Sequence, residues 1–405
     1  MPNLNQRRNL LFLNSMPIEM IIDQERMWEI RNRDLSGYCR LACSIFWRSK
    51  KNRIIEIVAG ENVCYCIKDP SENINNVFLK YIMRIFHLIE ITFRISLICK
   101  KNRIDAIISY SNGLRELELA SLFTAKIFSI PIFGYIGRNP RGMEVDKSHS
   151  IEEAQLVQNN FAIKLERYIL NKVDKTILRP GTEDLYGKLY NIDSSKVILI
   201  PHKTIFHQFL KSFEISIGLK NWMKGKKVIM NYGRIDVGKF VDDLIKSFKL
   251  INSEYKDVCL LVIGDGPEKS NCISLVRELG LVDYVRFENS MSQKKIAAII
   301  NNCDILIPGF GGGKCMFEAA LAGKPLVTYD MEMGHYFGLI EHMKTALVAK
   351  NRDVEDLAKC IKIYLSNPNL CRQVGIELQK RAKEHNNWAK TDKKIATAIE
   401  EVISN

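Results

Sequence analysis

Short apolar segments alternate with longer helix-like segments along the chain, and this alternation constrains the fold more than any other feature. In the first half the strand-like segments are residues 9–14, 53–59, 104–110, 130–136, 175–180 and 197–201. The helix-like segments between them are residues 77–99, 114–127, 151–172 and 182–190. Strands that alternate with helices predict parallel sheets with helices on both faces.

The second half repeats the alternation. Its strand-like segments are 228–233, 259–266, 285–289, 305–310, 325–330 and 346–350, and its helix-like segments are near 239–252, 268–279, 292–301, 314–323 and 353–366. The pattern lapses at about 205–224, and 405 residues are too many for one ordinary core. We therefore expect an N-terminal Rossmann-like domain at 1–205 and a second at 206–385. Residues 386–405 read as a C-terminal helix that can pack back on the first domain.

Composition narrows the class of protein and of partner. The chain is 46% apolar and 26% charged, which indicates a folded protein rather than a disordered one. Its net charge of +13 is spread over both halves and suits anionic partners such as nucleotide sugars, phospholipid surfaces or nucleic acid. Zinc-finger, basic-zipper and RNA-recognition signatures are missing from the sequence, so we do not expect a nucleic-acid partner.

The cysteines and the N-terminal residues indicate the cellular compartment in which we expect the protein. The 11 cysteines are scattered, and C-x-C at Cys64 and Cys66 without a second pair is a poor metal signal. Buried, reduced thiols in a cytoplasmic protein explain them better. The first twenty residues have a short, broken apolar run and no small-residue cleavage site, so we expect no signal peptide. The expected location is the cytoplasm, with the inner face of the cell membrane as a further possibility.

The first candidate binding segment follows the strand at 228–233. Gly233 ends this strand, Arg234 follows it, and Lys239 opens the next helix. A strand end followed by a helix start presents unpaired backbone N–H groups and the positive end of the helix dipole. An Arg and a Lys there can bind a diphosphate. The alternative for the isolated pair is two solvated surface cations.

Two further segments place glycine between a strand and a helix. Gly264 and Gly266 lie in LVIGDGPE, where their small size can let a ligand approach the backbone, although many such turns look alike. The third segment, PGFGGGK, carries Gly311, Gly312 and Gly313 directly before the helix that begins at Lys314. Backbone N–H groups in such a loop can cradle a phosphate. Glu318, one turn into that helix, can accept hydrogen bonds from ribose hydroxyls.

The order of these segments resembles glycosyltransferase family 4. The resemblance rests on GRIDVGKFVDDLIKSF, LLVIGDGPE, VRFEN, the Gly-rich loop with FEAALAGKPLVTYD, and ALVAKNRDVEDLAKCI. It covers residues 228–365 well and continues more faintly upstream. It implies a retaining enzyme with the GT-B fold, in which two Rossmann-like α/β domains face each other across a cleft.

The resemblance also implies roles for particular residues. Arg234 and Lys239 match the basic pair that binds the donor diphosphate and stabilises leaving-group charge. Glu318 matches the second Glu of an E-x7-E motif, which binds the nucleotide ribose. The loop from Gly311 to Gly313 would supply backbone amides to the phosphates, and Asn289 and Ser290 lie near where the base packs.

The sequence departs from the family pattern at two places. Phe310 occupies the position of the first Glu of E-x7-E, which contacts the donor sugar in the family. The N-terminal domain lacks the His that follows the strand matching 130–140, where Arg138 and Asn139 are the nearest polar residues. Recognition of the donor sugar depends on these positions, whereas binding of the diphosphate and ribose depends on them less.

The expected partners follow from the resemblance. The donor would be a nucleotide-diphosphate sugar and the acceptor a glycan or a lipid-linked molecule. We expect no cofactor and no metal, because two cations and a helix end can stabilise the leaving diphosphate, and no D-x-D-type metal site stands where metal-dependent transferases of the other common fold need one.

The segment 77–99 is apolar with a thin polar stripe and is followed by Lys100, Lys101 and Arg103. Such a helix can lie at an anionic membrane surface and reach a lipid-linked acceptor. The alternative is a core helix that covers the sheet of the N-terminal domain.

Three other functions stay open at this point. A protein that keeps the fold and binds the nucleotide sugar without turnover is favoured by Phe310 and the missing His. A sugar-nucleotide epimerase of the same fold would need a carboxylate and His pair that is not evident. Nucleic-acid binding rests on the net charge alone.

Overall fold

A computed structural model of the chain describes residues 8–14, 39–47, 57–59, 62–67, 77–111, 115–136, 161–180, 183–200, 214–309, 314–330 and 338–404. The described residues fall into two units. The first takes those within Met1–Glu144, Ile151–Ile200 and Asn387–Asn405, and the second those within Pro201–Asn386.

The first unit is built around one eight-stranded sheet. Its elements in chain order are β1 (Arg8–Asn14), β2 (Cys39–Trp47), β3 (Ile57–Ala59), β4 (Asn62–Ile67), α1 (Val77–Lys101), β5 (Ala106–Ser111), α2 (Arg115–Phe128), β6 (Ile132–Ile136), α3 (Phe161–Lys172), β7 (Lys175–Leu178), α4 (Glu183–Tyr190) and β8 (Val197–Leu199). The strand order is β3-β4-β2-β1-β5-β6-β7-β8, and every pair is parallel except the edge pair of β3 and β4.

Two strands of this sheet differ from the sequence-based prediction. β2 and β4 were not predicted, although Cys43 and Ser44 of β2 are fully buried. The segment CRLACSIFW carries Arg, Ser and Cys among its apolar residues, so it lacks the continuous apolar run of a buried parallel strand. The strand expected at 53–59 is described only at 57–59, as β3, and its first residues lie outside the described part.

The helix α1 has two different faces. Ile91, Ile95 and Ile98 are buried against the sheet, together with Leu117 of α2. On the other side, five large apolar residues are exposed among the side chains of α1 that the structure describes, residues 82–101. One face of α1 covers the sheet, as a core helix would. A core helix does not explain the apolar residues on its outward face.

The second unit contains the remaining sheets and most of the remaining helices. Its elements are α5 (Ile217–Met223), β9 (Lys227–Tyr232), α6 (Val241–Asn252), β10 (Val258–Ile263), α7 (Lys269–Glu278), β11 (Val285–Glu288), α8 (Gln293–Asn301), β12 (Ile305–Leu306), α9 (Lys314–Ala322), β13 (Val327–Tyr329), β14 (Leu347–Ala349), α10 (Val354–Ser366) and α11 (Pro368–His385). The four-stranded sheet has the order β11-β10-β9-β12, and β13 pairs with β14. All of these pairs are parallel.

β9 and β10 form the centre of the second unit. All six residues of β10 are buried, as are the last five of β9, which is what strands covered on both faces require. A parallel bridge from Leu306 to Leu326 brings the start of β13 beside β12. Because parallel strands end at one edge of the sheet, the loops after β9, β10 and β12 are neighbours.

The last helix, α12 (Trp388–Ser404), packs on the first unit. Ile395 and Ile399 join the core formed by Leu10, Ile108 and other residues of the central strands. Arg8 of β1 makes two parallel hydrogen bonds to Glu400, at 2.8 Å from Nε and 3.0 Å from an Nη atom. In the described part of the chain, none of the helices combines the length and the apolar character that a membrane crossing requires.

Candidate active site

The end of β9 is tied to the first turn of α9. The Tyr232 hydroxyl donates a 2.7 Å hydrogen bond to the backbone carbonyl of Cys315. Burial raises the pKa of Tyr232 well above its ordinary value, and nearby Glu318 adds to the shift, so the hydroxyl keeps its proton. Gly233 follows at φ +136°, a conformation that turns the chain away from the strand and that L side chains rarely adopt.

Lys239 lies in this same corner. It ends a short 3-10 turn, Val237–Lys239, and its Cδ lies so close to Gly309 that a Cβ there would meet it at 3.2 Å. Burial lowers the pKa of Lys239, Asp236 opposes that shift, and Arg234 adds to it. The cation therefore sits between the ends of β9 and β12, within electrostatic range of Cys315 in the first turn of α9.

Arg234 lies beside Lys239 but is much more exposed. Its side chain is 71% exposed, and Nε lies 2.8 Å from a carboxylate oxygen of Asp236. An exposed guanidinium held by one carboxylate keeps several donors directed to solvent, where an anionic ligand can reach them. The structure thus brings Arg234 and Lys239 together at one edge of the sheet.

Glu318 is buried in α9, and only 4% of it is exposed. Its carboxylate accepts a hydrogen bond from Nε2 of Gln293, the first residue of α8. Sequence reasoning did not identify Gln293, whose only signal is its position at a helix start after the strand VRFEN. Gln293 orients the carboxylate that the sequence assigned to ribose binding, and that assignment stays a prediction.

Gly264 and Gly266 serve the packing of two loops against each other. A Cβ on Gly264 would lie 1.8 Å from the carbonyl oxygen of Gly233, and one on Gly266 would lie 2.0 Å from that of Ile235. The backbone N–H of Ile235 donates to Asp265 at 3.0 Å across the same contact. These glycines therefore let the loop after β10 approach the loop that carries Arg234. The approach of a ligand, which the sequence suggested, stays a prediction.

Asn289 and Ser290 follow β11 and are exposed. Asn289 accepts a 2.7 Å hydrogen bond from Nζ of Lys269, and the backbone N–H of Ser290 donates to Asp265 at 2.7 Å. Lys269 and Ser290 together lower the pKa of Asp265 to about 2. Asp265 thus joins the loops after β10 and β11, and the base-binding role of Asn289 and Ser290 stays a prediction.

The Gly-rich loop is placed only in part. Gly311, Gly312 and Gly313 lie outside the described residues, as does Phe310, and Lys314 is the first residue of α9. The phosphate-binding role of Gly311, Gly312, Gly313 and Lys314 stays a prediction. Among the described residues, no group of three or more His, Cys, Asp or Glu side chains is arranged to hold a metal ion.

Phe240, Arg352 and Asp243 form a cluster next to the turn that carries Lys239. Phe240 adopts a left-handed conformation at φ 46°, which is strained for a bulky residue. The Arg352 guanidinium lies 4.3 Å from the centre of the Phe240 ring, and it forms two hydrogen bonds to Asp243, at 2.7 and 3.1 Å. The Asp243 side chain is only 3% exposed. Sequence reasoning missed this cluster because Arg352 lies 109 residues beyond Asp243.

We expect Arg352→Met to lower the free energy of unfolding by about 2 kcal/mol, because it leaves the buried Asp243 carboxylate without its bidentate partner. Chemical denaturation measures this loss. The matched control is Arg381→Met, because Arg381 pairs with a half-exposed carboxylate, Glu341, at 2.9 Å. Exposed pairs contribute less than about 1 kcal/mol. Equal losses in the two variants would show that the buried Asp243–Arg352 pair contributes no more to the free energy of unfolding than an exposed pair does.

Comparisons with known proteins match the second half of the chain to a family of glycosyl transferases. Residues 213–381 match the family model described as glycosyl transferases group 1. The chain is 25% identical over 294 residues to the 2-deoxystreptamine N-acetyl-D-glucosaminyltransferase of Niallia circulans, a match that covers 68% of this chain and 71% of that protein.

Solved structures show the fold. The sucrose-phosphate synthase of Thermosynechococcus elongatus superposes with a TM-score of 0.70 at 14% identity, over 98% of this chain and all of that one. The Anabaena protein HepE, solved in complex with UDP, gives 0.69 at 14% identity, over 97% of this chain and 100% of that one. The resemblance and the fold read from the sequence are confirmed: residues 213–381 match the model of the group 1 glycosyl transferases, and the chain has the GT-B fold.

Proposed function

We propose that this glycosyltransferase moves a sugar from a nucleotide-diphosphate sugar to a glycan, lipid-linked or other acceptor, with retention of anomeric configuration. The pathway we propose is the synthesis of a cell-surface polysaccharide or glycoconjugate. The observation that carries the proposal is the position of Lys239, which lies against Gly309 beside the first turn of α9, with Arg234 next to it.

The demanding step is departure of the nucleoside diphosphate from the anomeric carbon. Negative charge grows on the β-phosphate oxygens while positive charge grows on the sugar. Groups that already point at the developing charge stabilise it without reorganising. Lys239, Arg234 and the N-terminal end of α9 have this arrangement, and the acceptor would attack from the leaving-group face.

The partial burial of Lys239 strengthens its part in this step. A cation shielded from water interacts more strongly with a phosphate than a solvated one does. The lowered pKa of Lys239 reflects the cost of holding this cation away from water. A bound diphosphate would add negative charge beside Lys239, so binding favours the protonated form.

Glu318 and the loop after β11 suit the nucleoside part of the donor. The carboxylate is held in one orientation by Gln293 and can accept hydrogen bonds from ribose hydroxyls. Since HepE was solved with UDP, a uridine diphosphate sugar is the first donor to test. The Niallia circulans relative is named as an N-acetyl-D-glucosaminyltransferase, which makes UDP-N-acetylglucosamine the first sugar to test.

Catalysis in this proposal needs no metal ion or cofactor, because the two cations and the helix end neutralise the diphosphate. We also place the reaction in the cytoplasm, where nucleotide sugars are available. Both points remain proposals, and activity after treatment with a chelator tests the first of them.

A second candidate is a protein that binds the nucleotide sugar without turning it over. Phe310 favours this candidate, because it stands where the family has the Glu that contacts the donor sugar. Arg234, Lys239 and Glu318 fit both candidates, because a protein that only binds the nucleotide sugar also needs groups that bind the diphosphate and the ribose.

A donor panel separates the two candidates. We expect the purified chain to release nucleoside diphosphate from one nucleotide sugar far faster than from the others, and the transferred sugar to keep its anomeric configuration. Chromatography measures the release, and NMR of the product measures the configuration. Tight binding of a donor with no release above the uncatalysed rate would favour the binding protein, and inversion would overturn the retaining mechanism.

A further inference from the structure

An apolar surface on the first unit is not accounted for by its core. Five large apolar residues of α1 and three of α2 are exposed, and their exposed fractions run from 42% at Phe123 to 66% at Ile127. The surface consists of Ile85, Phe86, Ile89, Phe93 and Leu97 of α1 with Phe123, Ile127 and Phe128 of α2. We call it the α1–α2 surface.

The α1–α2 surface is continuous across the two helices. Thr124 of α2 donates a 3.4 Å hydrogen bond to the backbone carbonyl of Thr92, and its hydroxyl lies 3.5 Å from that of Ser96. Phe93 and Leu97 directly follow these two residues of α1. On α2, Phe123 is adjacent to the buried Thr124, and Ile127 lies one turn beyond it. The exposed apolar residues therefore flank the seam between the helices.

The spacing shows that this is an outward face rather than a poorly packed core. Ile85, Ile89, Phe93 and Leu97 recur every four residues, which keeps them along one side of a helix. The buried residues Ile91, Ile95 and Ile98 occupy the opposite side. Eight large side chains at these exposures present on the order of several hundred Å² of apolar area, which in soluble proteins marks an interaction site.

The charges around the surface are arranged for an anionic partner. Lys100, Lys101 and Arg103 at the end of α1 and Lys126 at the end of α2 are exposed. The acidic residues that border it are paired with arginines: Glu90 accepts from Nε of Arg94 at 2.9 Å, and Glu116 lies 3.4 Å from Nε of Arg84. The acidic side chains are thus neutralised, whereas four cations face solvent.

We propose that the α1–α2 surface docks on an anionic lipid bilayer. The exposed Phe, Ile and Leu side chains enter the boundary between headgroups and acyl chains, and the four cations contact anionic headgroups. A second copy of this chain suits the surface less well, because two copies would bring the same cations together. Docking is a property of the first unit and does not depend on the proposed sugar transfer, although it would keep the enzyme beside a lipid-linked acceptor.

Co-sedimentation of the full chain with vesicles tests the proposal. We expect the chain to bind vesicles of phosphatidylcholine mixed with phosphatidylglycerol, to bind pure phosphatidylcholine about tenfold less, and to be released as salt rises. The triple variant Ile89→Ser, Phe93→Ser, Ile127→Ser should lose about tenfold or more in binding to the mixed vesicles. The variant Lys100→Gln, Lys101→Gln should bind both kinds of vesicle alike.

The matched control is the double variant Val282→Ser, Ile376→Ser, because these residues are 61% and 62% exposed on the second unit. It should bind vesicles as the unaltered chain does. The triple variant should release nucleoside diphosphate from a water-soluble donor at the unaltered rate. An unaltered rate shows that the variant folds and that loss of docking is separate from loss of transfer. Equal binding to vesicles by the triple variant and the control would overturn the proposal. It would also be overturned if the unaltered chain and the control formed a dimer in solution and the triple variant were a monomer.

Discussion

We expect Lys239→Ala to lower kcat for sugar transfer by about 100-fold, which corresponds to about 2.7 kcal/mol of transition-state stabilisation. Lys239 is the cation that lies between Gly309 and the first turn of α9, where charge from the leaving diphosphate would collect. Its partial burial makes water a poor substitute for the missing ammonium. Initial rates with a saturating donor measure the effect.

The control for this prediction is Lys246→Ala. Lys246 lies on α6, and it pairs with the half-exposed Asp242 at 3.0 Å. Removing such an exposed cation should change kcat less than about twofold. If Lys239→Ala kept the full rate, or if both variants lost the same fraction, the leaving-group role of Lys239 would be wrong.

Gly264→Ala should be the most destabilising small substitution in the second unit. The added Cβ would lie 1.8 Å from the carbonyl oxygen of Gly233, and the backbone at φ +157° already disfavours a side chain. Backbone cannot rotate away as a flexible side chain can, so the loops after β9 and β10 must separate. We expect a loss of roughly 3 to 5 kcal/mol in the free energy of unfolding, measured by chemical denaturation. Donor binding should weaken as well, because Arg234 follows Gly233 directly.

Gly218→Ala is the matched control for this substitution. Gly218 is exposed in α5, and a Cβ there would meet nothing within 4 Å. Alanine in a helix should raise stability by about 0.5 to 1 kcal/mol. Similar denaturation midpoints for the two variants would mean that the loops tolerate a side chain at Gly264.

The sequence predicts the second unit better than the first, for a physical reason. β9 and β10 are covered on both faces, so VIMNYG and CLLVIG are mostly apolar, with Asn231 as their one polar side chain. β2 is harder to recognise because Arg40 and Ser44 interrupt its apolar residues, and the fully buried Cys43 and Ser44 occupy positions where Val or Ile would indicate a buried strand. Strand recognition thus failed where small polar residues occupy the core.

A similar limit applies to the candidate site. Arg234 and Lys239 could be found because both follow one strand within a few residues. Gln293 and Arg352 could not, because each meets its partner across the fold, at Glu318 and Asp243. Gly264 and Gly266 could be recognised as special positions, but their contact with the neighbouring loop could not be predicted from local spacing. Local spacing predicts where a site lies, whereas its supporting contacts depend on how separate loops pack.

We propose that this corner of the second unit binds the diphosphate of the donor, and calorimetric titration with UDP and with uridine measures that binding. The dissociation constants of UDP and uridine are compared in the unaltered chain and in Lys239→Ala. We predict that UDP binds at least tenfold more tightly than uridine to the unaltered chain, and that most of this difference disappears in Lys239→Ala. Equal affinities for UDP and uridine, or a difference that Lys239→Ala leaves intact, would contradict the claim.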